Sequence, residues 1–556
     1  MTQPITRSHF FDKWYCITQV VLVLSCIFTF ESECVLAQIL SPKIRWQRCC
    51  GGSDIDGLRS INRTSTNGYV LAGSSSSNNG DVSGNHGGGD VWLVRTDSLG
   101  SLLWQKCIGG TSSDGSTASI NLLKNQLVFV GALSSTNAGF KSGGLVLRCD
   151  STGVVQHEET IPGFIEDFSL LSSVASTLDS GYVVGGWESY SGEGYNNHGY
   201  IDALVVKYTQ SGQREWVGCY GGSGSDEVGS VLQTNEGGYA FVGNTNSLNG
   251  DVTFLHGDTI SPITDFWLVK LSALGKIEWQ KCLGGTENEQ ATSVIQTSDS
   301  GFVLVGNTSS RDGDVVRRMN DTGSSSDIWF VKLNQHGDIL WQRCYGGSGA
   351  EQCASVIQTS DGGFALVGNT SSNDGDVSGW HPGWNSFHQP NSDIWVLKLS
   401  SSGEILWQKC IGGSETDEGN SIIQISENKY VIGGTTSSND GNITGNHGGG
   451  DMWLGEIEIT SESILGDGST TLEEALHVYP NPCNDNVVLK VLPTETLRSV
   501  NLFDIMGRKY SPTTSFESSY AYVLTRSLPI GVYMIEIGYS FQGNQFTYHS
   551  PLMVLH

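Results

Sequence analysis

The sequence predicts an all-β chain: a seven-bladed β-propeller with four antiparallel strands per blade, followed by a small C-terminal β-sandwich. Three observations predict it. A segment of the type LWQKCIGG returns seven times. Each return is accompanied by three further short strand signals. Beyond residue 459 the repeat stops and a different strand-rich pattern begins.

The repeat is anchored by Trp46, Trp104, His157, Trp216, Trp279, Trp341 and Trp407, spaced 58, 53, 59, 63, 62 and 66 residues apart. The copy at His157 is degenerate. The sixth unit shows its strands most clearly, as ASVIQT, FALVGN, DIWVLKL and EILWQKC between Ala354 and Cys410. Glycine-bearing turns such as SDGG and SSSG join the first to the second and the third to the fourth. Four antiparallel strands repeated seven times specify a propeller. The array opens on a fourth strand, Ile44 to Cys49, and ends on a third, Asp451 to Ile457. Pairing these two segments closes the ring and removes an open seam.

Connections in such a sheet alternate between its ends, so the tight hairpins share one face and the long loops the other. The long loops include Ser74 to Gly89, Asn244 to Thr264, Asn307 to Ser326 and Asn369 to Ser392. Loops of this length in a compact domain are commonly functional.

The 556 residues include 72 Gly, 12 Pro and 16% charged residues, a strand-and-turn composition. A formal charge of −27 excludes the basic footprint that nucleic acids require. Arg7 and Lys13 precede an apolar run from Trp14 to Phe30, and Val35-Leu36-Ala37 follows, so residues 1–37 read as an export signal peptide. No transmembrane span is expected in the mature chain, and a monomer is expected. Thirteen cysteines would suit disulfides outside the cell. Six of them hold equivalent places in successive repeats, however, too far apart to bridge.

Several repeated acids are candidate sites. Asp56, Asp114, Asp167, Asp226, Glu289, Glu351 and Asp417 each stand five residues past the first Gly of a repeat's Gly-Gly place, before an innermost strand. They would ring the channel mouth and could gather a cation. Recurrence in every blade argues equally for a scaffold role, each acid accepting hydrogen bonds from its own loop. Asp81, Asp251, Asp314 and Asp376 follow Gly and precede Val in four long loops, with Asn442 in the seventh unit. Their oxygen-rich surroundings make them weak calcium candidates, without the full ligand spacing of a calcium loop. No other cofactor is expected. A third series, Asp90, Asp202, Asp265, Asp327, Asp393 and Asp451, opens the third strands.

Specific recognition should sit where blades differ. The sixth unit's loop, SGWHPGWNSFHQPNS, carries Trp380, His381, Trp384, Phe387 and His388, and the third unit adds Trp187 and Tyr190. Rings of this kind stack on sugars or anchor protein surfaces. They equally build self-packed loops.

Residues 460–471 form a polar linker, and 472–556 a separate domain. Its order of YPNP at Tyr479, LFDIMGR at Leu502 and LPIGVY at Leu528 resembles the type A C-terminal sorting domain of the type IX secretion system of Bacteroidota. The resemblance implies an immunoglobulin-like sandwich, passage across the outer membrane, and the secretion machinery as partner. The GxxxWxxxxGG unit, as at Gly337 to Gly347, resembles the tryptophan-docking repeat of quinoprotein dehydrogenases, a likeness of scaffold only.

No nucleophile elbow, HExxH, P-loop or zinc cluster is present. The expected function is an exported propeller that binds a glycan or protein ligand through its long-loop face. A secreted polysaccharide-active glycoside hydrolase and a structural surface component are the alternatives.

Overall fold

The computed structural model describes residues 39–462 apart from 123–125, 135–142, 163–168, 190–197, 257–262, 317–324 and 384–389. In the tail it describes 476–554 apart from 480–485, 492–494, 505–507, 511–513, 518–519, 525–530 and 542–543. Two compact units result, one spanning Leu40–Thr460 and the other holding the tail from Ser461.

The first unit is a propeller of seven four-stranded antiparallel sheets. Blades one to six cover residues 56–108, 115–162, 169–220, 226–283, 289–345 and 351–411. In blade six the strands run Glu351–Gln358, Phe364–Thr370, Asp393–Leu399 and Ile405–Ile411, hydrogen-bonded in that order. Blade seven takes three strands from the end of the array, Asp417–Ser426, Lys429–Thr436 and Asp451–Glu462. The chain's first strand, Ile39–Cys50, adds itself outside the last of these. Arg45 binds Glu458, and Trp46 Nε1 donates to Glu456 at 3.2 Å, fastening the closure.

The two middle strands of each blade are buried on both faces and read as continuous apolar runs, VWLV and FALV among them. Five third-strand tryptophans, Trp92, Trp267, Trp329, Trp395 and Trp453, are fully enclosed. Burying an indole N–H requires an acceptor, and the fourth-strand glutamine one step past the repeat tryptophan supplies it. Trp92 donates to Gln105 at 2.9 Å, Trp267 to Gln280 at 2.8 Å, and Trp453 to Gln47 at 2.9 Å across the closing seam.

The repeat tryptophans lie on the outermost strands and connect blades. A Cβ on Gly100, in blade one's outer hairpin, would stand 2.8 Å from Trp46 of blade seven. The same relation joins Gly153 to Trp104, Gly275 to Trp216, Gly337 to Trp279 and Gly403 to Trp341. These glycines are also held at positive φ, +78° at Gly100. His157 takes the same place, with a Cβ on Gly212 falling 3.0 Å from its ring. The degenerate repeat therefore keeps the docking geometry and changes only the ring.

The nine described cysteines are all free, and burial pushes thiols such as Cys107 and Cys410 up to about 12. Cys49 and Cys50 are likewise raised to about 12 by burial.

The described residues of the tail form two four-stranded antiparallel sheets. One orders Leu476–Tyr479, Asn486–Val491, Tyr520–Leu524 and Thr514–Glu517. The other orders Lys509–Tyr510, Glu495–Asp504, Gly531–Phe541 and Asn544–Val554. Leu502 and Ile535 are fully buried in it.

Candidate functional site

Each repeated series of polar residues on the long-loop face is bound into the framework. The innermost-strand acids come first. Asp226 is fully buried and accepts from the Thr245 hydroxyl, from Ser247 Oγ at 2.7 Å and from the Gly222 N–H at 2.8 Å. Asp56, Glu289, Glu351 and Asp417 are equally enclosed, each taking the N–H of the second glycine of its Gly-Gly pair. Asp114 accepts from Gly110 at 2.9 Å and from the Ser134 N–H at 2.8 Å. These carboxylates turn into their own loops, so their oxygens are spent on donors from the same blade and the preceding connection. Burial raises the carboxyls of Asp226, Glu289, Glu351 and Asp417, against the pull of those hydrogen bonds. Asp167 lies outside the described residues. Blade three starts its inner strand at Ser169, whose cross-strand partner is Glu188. Elsewhere that pair reads Asp226 with Thr245, so acid and hydroxyl residue exchange strands in blade three. Burial and the neighbouring Asp202 push Glu188 up to about 7.

The Gly-Asp-Val aspartates clip one blade to the next. The Asp81 N–H donates to the Gly51 carbonyl at 2.9 Å, and Asp81 Oδ2 accepts from the Gly51 N–H at 3.4 Å. Asp251 with Gly221, Asp314 with Gly284 and Asp376 with Gly346 repeat this exchange. The glycine before the aspartate is left-handed, at φ +64° for Gly80, and a Cβ there would lie 2.4 Å from the Gly51 oxygen. The valine after it is buried, as in Val82 and Val377. Left-handed glycine, reciprocal clip and buried valine account for the motif without a ligand. Among the described residues no group of three or more His, Cys, Asp or Glu is arranged to hold a metal ion.

The third-strand aspartates have partners that sequence reading missed. In five blades a loop histidine donates both its backbone N–H and its ring to one carboxylate oxygen. The Nδ1 to Oδ2 distances are 2.7 Å for His86 and Asp90, 3.2 Å for His198 and Asp202, and 2.8 Å for His256 and Asp265. They are 2.7 Å for His381 and Asp393 and 2.6 Å for His447 and Asp451. His381 therefore belongs to a repeated series. The visible signal was the Asn-His-Gly triplet at 85–87, 197–199 and 446–448. His256 is distinct in that its Nε2 also lies 3.3 Å from Asp314 Oδ2 of the next blade.

The aromatic candidates divide. Trp380 is partly buried against the core cluster holding Val377, Trp395 and Cys410, so it braces the base of its loop. Trp187 is half-buried and takes the strand position that Asn244, Asn307 and Asn369 hold in blades four to six. There the asparagine accepts an N–H from the following blade, as Asn244 does from Ala291 at 2.8 Å. Trp384, Phe387, His388 and Tyr190 lie outside the described residues. Among the described residues, the large apolar side chains exposed on this face are Ile55, Tyr200, Leu248, Phe254 and Val316, from blades one, three, four and five.

Residues 477–545 match the family model described as a secretion system C-terminal sorting domain. A search of curated protein sequences found no match. Solved structures similar to the chain include the PQQ-bound aldose sugar dehydrogenase of Streptomyces coelicolor, at 10% identity and a TM-score of 0.33, covering 76% of this chain and 98% of that one. A Trypanosoma rangeli sialidase mutant matches at 8% identity and a TM-score of 0.37, covering 83% and 88%. A glycoside hydrolase family 32 protein of Bifidobacterium adolescentis matches at 10% and 0.28, covering 91% and 95%. At these scores none of them bears on activity. The chain is a seven-bladed β-propeller carrying a type IX secretion system C-terminal sorting domain, exported to the cell surface or the extracellular medium.

Proposed function

We propose that the propeller is a non-enzymatic binding module, displayed or released by the secretion system, that holds a glycan or protein ligand on its long-loop face. Residues 1–37 act as a signal peptide in this reading, and the tail, folded as an immunoglobulin-like sandwich, engages the secretion machinery. The observation that carries the proposal is the distribution of commitments on that face. The repeated acids are tied up by hydrogen bonds within the framework, and each loop histidine spends its backbone N–H and Nδ1 there. Tyr200, Phe254 and Val316, by contrast, are 72%, 59% and 69% exposed in the irregular loops. Exposed rings beside polar loops suit the faces of sugars and the apolar anchors of proteins. Trp384, Phe387 and His388 of the blade-six sequence are kept in this proposal as further ligand contacts on the strength of their residue types alone.

A glycan array probed with the full chain, beside a reducing-sugar assay on polysaccharides, tests the reading. Retained binding that weakens in a Tyr200→Ala, Phe254→Ala double variant supports it. Sugar release by the protein would replace it with the hydrolase alternative.

A further inference from the structure

The short-hairpin face, opposite the long loops, carries its own repeated charged position. The sixth residue of the third strand there is a buried cation in several blades. Lys207, Lys270, Lys332 and Lys398 each give one hydrogen to the next residue's carbonyl. Each also has a carboxylate: Lys207 meets Asp179 at 2.8 Å and Glu215 at 2.7 Å, and Lys270 meets Glu278 at 3.0 Å. Lys332 meets Asp299 at 2.9 Å, and Lys398 meets Asp361 at 2.8 Å. In blade seven the signs are exchanged, with Glu456 facing Lys429 at 3.2 Å. The place is compensated in all of these blades, as a desolvated charge demands.

Blades one and two carry an arginine here instead; Arg148 of blade two donates to the Gln210 carbonyl of the next blade, and blade one departs furthest from the rule. Its cation is Arg95, only 8% exposed, and the acids are gone. Thr66 stands where the other hairpins have Asp179, Asp299 and Asp361, and Leu103 stands where blades three and four have Glu215 and Glu278. The guanidinium spends Nη1 on the carbonyls of Tyr69 and Thr96. It spends Nη2 on the hydroxyls of Thr64, at 2.7 Å, and Thr66, at 2.6 Å. All these partners are neutral. Asp97, on its own hairpin, favours the Arg95 charge from a distance but turns its Oδ1 to the N–H groups of Leu99 and Ser101, both at 2.8 Å, and burial outweighs it. Asp150, on the neighbouring blade's hairpin, is likewise turned to Thr152 and Val154.

Beside Arg95 opens a cavity of about 230 Å3 lined by Thr64, Ser65, Thr66, Val70, Leu127 and Ser151. A hydroxyl that accepts from a guanidinium keeps its own proton to give away. Thr66 directs that proton at Thr64 Oγ1, 3.3 Å away, and can turn it to a guest instead, and Ser151 faces the same space from blade two. We propose that this cavity binds a small oxyanion, a carboxylate, sulfate or phosphate group, through the charge of Arg95 and the hydroxyls of Thr66 and Ser151. The guest supplies the negative charge that an aspartate supplies in the sister blades. The cavity holds one such group or a single acidic sugar.

The test follows the melting temperature of the full chain as sodium glucuronate, sulfate or inorganic phosphate replaces chloride at constant ionic strength. A saturable rise with any of the three supports the site, and the anion that acts names the source. Thr66→Asp restores the acid of blades three, five and six. It should leave stability in chloride equal or higher and weaken the anion affinity at least about tenfold, a change readily resolved by titration. Leu103→Glu, at an exposed position, restores the other acid and serves if the first variant does not fold. The proposal is overturned if no anion raises the melting temperature above the chloride control, or if a folded restored-acid variant responds as the parent does.

Discussion

Trp46 of the chain's first strand lies against Gly100 of blade one so closely that a Cβ on the glycine would come within 2.8 Å of the ring. Because Trp46 belongs to blade seven, this one contact carries the docking relation across the point where the ring closes. Gly100→Ala must displace the indole and adopt φ +78°. The expected loss is about 1–3 kcal/mol, the range for strained non-glycine backbone with local overpacking, read by urea unfolding. The same change at Gly237, which has positive φ but no neighbour within 4 Å of its Cβ, should cost less.

Asp226→Ala separates a framework role from a ligand role. It strands the Thr245 and Ser247 hydroxyls and the Gly222 N–H inside the protein. A loss of about 3 kcal/mol is expected in chemical denaturation, since buried donors left unmet each cost on the order of 1–3 kcal/mol. Asp226→Asn, keeping shape and one acceptor oxygen, should lose less. An alanine variant of unchanged stability would return the carboxylate to the list of ligand candidates.

Mildly acidic conditions should stabilise the propeller relative to alkaline ones. His256 is raised above its ordinary value by its hydrogen bond to Asp265, against burial, with the charges of Asp265, Asp314 and Glu289 adding to the rise. A raised histidine stabilises fully below the unfolded value of about 6.5, and that stability is lost as pH climbs through the folded value. Burial also raises Asp393 to about 6, opposed by His381, so its folded form retains a proton that the unfolded chain has released. Both effects point the same way. The melting temperature should be higher at pH 5 than at pH 8, and His256→Asn should flatten part of that difference. A profile that rises toward pH 8 would contradict the assignment.

Trp380→Ala and Trp384→Ala should behave differently. Trp380 packs on the blade-six core, so its removal lowers the melting temperature by opening space against Val377 and Trp395. Trp384→Ala should leave the melting temperature in place and weaken retention of the ligand found on the array. Equal loss of stability in both variants would make the whole loop a packing element.

Deleting residues 472–556 should leave a folded propeller retained in the periplasm of a host with this secretion system. Far-UV circular dichroism and surface proteolysis measure the two halves of that expectation. Surface display of the truncated chain would remove the sorting role from the tail.

The sequence by itself determined the propeller, its seven blades and the closing strand. These depend on local chemistry: continuous apolar runs, glycine turns and a tryptophan, or once a histidine, every sixty or so residues make the blades copies of one another. The sorting tail was legible for the same reason, as three short motifs in a fixed order. Only the tertiary structure decided what the repeated polar residues do. An aspartate before a strand looks alike in sequence whether it faces a channel or its own loop. Fold alone brought Asp226 against Ser247, Asp81 against Gly51, and His381 against Asp393. Loss of a partner is equally hidden. Arg95 resembles any strand arginine until the blades are superimposed and Thr66 is found where an acid belongs. The physical reason is that compensation of a buried charge is a property of the space around it, which neighbours in the chain do not specify.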